Sequence, residues 1–85
     1  MLYLAEFYLP AVGVPLAAFA EQARLAADQI NESGTAVRFV RAIHVAQDES
    51  CFVIYQAESP GAVAAAGAAA GFVFDSVVEA AEIPW

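Results

Sequence analysis

The chain has 85 residues, 61% of them hydrophobic, and sets ten Asp and Glu against three Arg and no Lys. That length allows one small domain, residues 1–85, and so high a hydrophobic content excludes intrinsic disorder. The formal net charge of −7 excludes a nucleic-acid role and disfavours an anionic membrane surface, since both need clustered Lys or Arg.

The opening stretch, MLYLAEFYLP, lacks the basic region of a signal peptide and carries Glu6 at its centre. The Ala-rich run over 62–74 is too short to span a bilayer. The expected location is therefore the cytoplasm. A single cysteine, Cys51, excludes an intramolecular disulfide and any all-Cys metal site within one chain.

Residues 2–9, LYLAEFYL, are aromatic and aliphatic and predict a strand. Leu2, Leu4, Glu6 and Tyr8 make one face; Tyr3, Ala5, Phe7 and Leu9 make the other. Both faces are mostly apolar, as in a strand covered on both sides. Pro10 and Gly13 then break the strand pattern. Pro15 suits the first turn of a helix, and Leu16, Phe19, Ala23, Ala26, Ala27 and Ile30 recur at helical spacing up to a stop at Gly34.

Residues 36–46 and 51–57 predict two strands joined by the polar turn Gln47–Ser50. With Asp48 and Glu49 at the centre of that turn, His44 would face Val53 and Ala46 would face Cys51. A longer loop would shift this by one or two residues, and Asp-Glu is not a favoured tight-turn pair. Ser59-Pro60 reads as a cap and helix start, with an uncharged Ala/Gly helix over about 60–70 that Gly71 ends. Residues 76–83 predict a last strand, with Glu79 and Glu82 at wetter positions. Pro84 and Trp85 finish the chain.

The order β-α-β-β-α-β predicts an α+β, ferredoxin-like fold: a four-stranded antiparallel sheet with two helices on one face. A monomer of this size buries only about 60% of its unfolded surface, and the second face of the sheet is left apolar. A homodimer built on that face would cover it.

Four residues could carry chemistry. The topology brings Glu6, His44, Cys51 and Asp75 to the same half of the domain. Imidazole, thiolate and carboxylate together suit a borderline transition ion such as nickel or zinc. Each has an ordinary alternative. A lone His such as His44 is more often a hydrogen-bonded strand residue, Cys51 a core residue, and Asp75 a turn or cap residue. Glu6, amid apolar neighbours, must be paired, solvated or lining a polar pocket, and Arg41 or Arg38 are the available partners. No phosphate loop, zinc-protease motif or catalytic triad can be assembled from what remains.

Leu4–Pro10, Val37–Ile43, Phe52–Ala57 and Ala70-Gly71-Phe72 before Val77-Val78-Glu79 together resemble a family of small, largely uncharacterised bacterial proteins, common in actinobacteria, that includes a nickel-binding member. The resemblance implies a ferredoxin-like domain assembled as a dimeric αβ-barrel. It also exposes departures. Family members usually carry Glu where this chain has Gln56 and Cys where it has Val53, and their second helix is often charged where this one runs Gly61 to Gly67. Glu6 is the matched acidic position that remains. The expected function is a small dimeric binding protein for a divalent transition metal such as nickel. The alternatives are a dimeric αβ-barrel enzyme holding an apolar or aromatic ligand between the sheets, and an interaction module without chemistry.

Overall fold

The structure, a computed structural model, describes residues 1–10 and 15–84; Gly13 and Trp85 lie outside the described residues. Strand β1 covers Leu2–Tyr8, helix α1 Leu16–Glu32, strand β2 Val37–Val45, strand β3 Ser50–Ala57, helix α2 Pro60–Ala69 and strand β4 Ser76–Ala80. The sheet is antiparallel with order β2-β3-β1-β4. This is the ferredoxin-like arrangement, with the first and third strands central.

Both helices end in the same way. Gly34 has φ +106° and Gly71 has φ +83°, a backbone region that side chains disfavour. Each turn then returns two N–H groups to the helix. Gly71 N donates to Ala68 O (3.0 Å) and Phe72 N to Gly67 O (2.8 Å), with Gly34 and Thr35 doing the same at Asn31 and Ile30. That is the Schellman closure of orphan carbonyls. At its other end α2 is capped by Ser59, whose hydroxyl accepts from Ala62 N at 3.1 Å.

The helix-side face of the sheet holds the core. Tyr3, Ala5, Phe7, Cys51, Val53 and Tyr55 are buried there against Ala23, Ala26 and Ala27 of α1 and Ala62, Val63 and Ala66 of α2. Small residues on the helices let them lie close to large ones on the strands. Gly67 is the extreme case: a Cβ there would collide with the ring of Phe74. The Gln22 side-chain amide donates to Ala70 O and ties α1 to the end of α2.

The β2–β3 register differs from expectation in two ways. Ala46–Asp48 form a turn of 3-10 helix and Glu49 adopts a left-handed conformation (φ 50°). This shifts the pairing by two residues, so His44 faces Cys51 and Val45 faces Ser50. A bulge between Phe39 and Arg41 then takes up Val40 as an extra residue. It puts Phe39 on the helix side, opposite Tyr55, and Arg41 on the open side, opposite Ile54. Arg41 therefore shares its face with Ile43 but not with Phe39. The last strand is also shorter than 76–83, ending at Ala80.

Candidate functional site

Strict alternation in β1 decides where Glu6 points. Tyr3, Ala5 and Phe7 are buried under the helices, so Leu2, Leu4 and Glu6 occupy the open face. Glu6 pairs with Phe52 on one side and Ser76 on the other. Around it the open face presents Leu4, Ile43, Phe52, Ile54 and Val78, of which Ile43 is 49% and Val78 51% exposed. Glu6 itself is half-buried. No cation reaches it: the ion pairs among the described residues are Arg24 with Glu21 and Arg24 with Asp28, both on the outside of α1. The Glu6–Arg41 ion pair, one of the alternatives for Glu6, does not form, and β2 is two strands away from β1 in the sheet order. Arg38 and Arg41 stand exposed on the open side of β2, without ion pairs among the described residues.

His44 and Cys51 face the other way. They are directly opposite across the β2–β3 ladder and lie on the helix side. The His44 Nε2 is 3.1 Å from the carbonyl oxygen of Leu9. A carbonyl only accepts, so Nε2 carries the proton and Nδ1 is the acceptor nitrogen of the neutral ring. Cys51 is 4% exposed, and burial pushes its thiol up. At neutral pH it is a protonated core thiol, a poor ligand and a poor nucleophile. Burial also pushes the Tyr55 phenol well up, with the Cys51 charge adding to it. The Tyr55 hydroxyl is buried with no hydrogen-bond partner among the described residues.

Asp75 lies just before β4, where its N–H donates to Glu6 O at 2.7 Å; its side chain is exposed. The four candidate residues thus gather at one end of the sheet but not at one point. Glu6 is separated from His44 and Cys51 by the thickness of the sheet. Among the described residues no group of three or more His, Cys, Asp or Glu is placed to hold a metal ion. The donor set that the described residues of one protomer offer does not fit a nickel ion.

Behind His44 and Cys51 lies a cavity of about 130 Å³ between α1 and the sheet. Sequence reasoning missed it. Its lining comes from α1, β2, β3 and the connections after β1 and α2, and no spacing pattern links Leu9, Phe19, His44 and Phe72.

Fold and surface together define a small ferredoxin-like α+β protein with one open, mostly apolar sheet face. Residues 3–80 match the family described as "Nickel responsive protein SCO4226-like", and the chain belongs to that family. The crystal structure of SCO4226 from Streptomyces coelicolor A3(2) has the same fold. It aligns over 99% of this chain and 100% of its own, with a TM-score of 0.74 at 17% identity. No protein with a curated description matches. Among the described residues no helix is long and apolar enough to cross a membrane.

Proposed function

We propose that this chain is a homodimeric binding protein in which two copies meet on the open sheet face and share a divalent transition ion, nickel foremost, through Glu6. The observation that carries this is the Glu6 carboxylate itself: half-buried, among apolar neighbours, and without a cation among the described residues. A charge in that setting is costly once the face is covered unless something positive meets it. The family description, "nickel responsive", supports nickel as that partner. A two-fold axis supplies a second carboxylate, which one protomer cannot. Oxygen donors discriminate weakly among divalent ions, so zinc and cobalt should compete.

A second reading rests on Arg38 and Arg41, exposed on the same face and without ion pairs among the described residues. An Arg of the second copy would neutralise Glu6 and leave a dimer with no metal. Calorimetric titration of Ni²⁺ into the wild type and Glu6→Gln separates the two. The metal reading expects one ion per two chains in the wild type and none in the variant. Absence of binding in the wild type, or equal binding in both, refutes it and leaves the arginine-paired module.

A further inference from the structure

We propose that the cavity between α1 and the sheet is a binding site for a small aromatic alcohol of the phenol class, with His44 as its polar contact. Its volume, about 130 Å³, is close to the roughly 150 Å³ of an apolar cavity known to accept benzene. One six-membered ring with one small substituent is therefore the size limit.

The walls select for an aromatic. Phe7, Phe19 and Phe72 pack as a triangle of near-parallel rings, with the Phe72 centroid 4.8 Å from both Phe19 and Phe7 and the latter two 5.6 Å apart. Phe19 and Phe72 both line the cavity, with Leu9 and Val53 completing an apolar surround. Leu16, one of its lining residues, is 48% exposed.

Among the described residues, the side chains that bring polarity to the lining are His44 and Cys51. Cys51 is held as a neutral thiol by its burial and is a weak hydrogen-bonding group. His44 has committed Nε2 to the Leu9 carbonyl and keeps Nδ1 as a free acceptor among the described residues. An acceptor calls for a donor, and an aromatic hydroxyl combines that donor with a ring. A carboxylate ligand is disfavoured, since no cationic Arg lines the cavity among the described residues. The site is on the opposite face of the sheet from Glu6, so it stands or falls independently of the metal reading.

The test is a titration of the full chain with phenol and, separately, benzene, monitored by amide and methyl chemical shifts. The expected result is saturable 1:1 binding, with the largest shifts at Leu9, Phe19, Val53 and Phe72. Ala20→Leu, which adds bulk from a half-exposed position on the cavity wall, should abolish binding of both. His44→Leu should weaken phenol about fivefold, the usual effect of one hydrogen bond, and leave benzene unchanged. The proposal is overturned by non-saturable shifts in the wild type, by shifts centred on the open face at Leu4 and Phe52, or by unaltered phenol binding in a folded Ala20→Leu chain.

Discussion

Glu6 sits directly across the β1–β3 ladder from Phe52, so a carboxylate and an aromatic ring are neighbours on an otherwise apolar sheet surface. Nothing in the core requires an acid there. Arg38 and Arg41 share the open face with Glu6 but lie out on β2. If the face is covered by a second copy and Glu6 meets only metal, Glu6→Leu should fold normally and associate more tightly in the absence of metal. Sedimentation with chelator present checks this. Weaker association in Glu6→Leu would favour pairing with an arginine of the second copy.

Gly67 approaches Phe74 so closely that no Cβ fits between them. Gly67→Ala gains helix propensity of about 1 kcal/mol. Phe74 is packed against Phe7, Tyr55 and Phe72 and has little room to move aside. Overpacking of this kind costs about 1–3 kcal/mol, so the net expectation is a loss, read as a lower urea midpoint. A higher midpoint would mean that the ring relocates freely.

Tyr55 is fully buried and its hydroxyl has no partner among the described residues. Removing an unsatisfied buried group relieves a desolvation penalty. Tyr55→Phe should therefore be neutral or stabilising, by up to about 1 kcal/mol, in equilibrium unfolding. A loss of more than that would show that the hydroxyl is satisfied.

Stability should fall on the alkaline side. Burial raises the Cys51 thiol and the Tyr55 phenol in the folded chain. The unfolded chain ionises its thiol from about pH 8.5 and its phenol from about pH 10, before the folded chain does. Over that window the unfolded state holds fewer protons, so unfolding free energy decreases as pH rises. Below it, both groups are neutral in both states and contribute no slope. The double variant Cys51→Val/Tyr55→Phe should show a flatter alkaline limb in urea midpoints across that range. An unchanged limb would assign the slope to other groups.

The elements were legible because their signals are local. Alternation in β1 already separated Leu2, Leu4 and Glu6 from Tyr3, Ala5 and Phe7, and that division is the one the structure shows. Ser59-Pro60, Gly34 and Gly71 marked helix ends through chemistry that acts within a few residues. The β2–β3 pairing was less accessible. A left-handed Glu49 and a bulge at Val40 carry no Gly or Pro to announce them, yet together they decide that His44 faces Cys51 and that Arg41 faces outward. Topology put Glu6 and His44 at the same end of the sheet. Which side each faces depends on single-residue parity, and in β2 the bulge resets it. The cavity was hidden for a different reason: its walls come from residues remote in sequence and brought together by packing.

The central claim is that the open sheet face is where two copies meet, and it is tested most directly by sedimentation equilibrium of the wild type beside Ile43→Glu. Ile43 is half exposed on that face, so a charge there should leave the monomer's own stability nearly unchanged while placing an uncompensated carboxylate in the interface. The account predicts a mass of twice 8.9 kDa for the wild type at micromolar concentration, falling to 8.9 kDa in a folded Ile43→Glu. A wild type that stays at 8.9 kDa at every concentration, or a variant that remains dimeric, would contradict it.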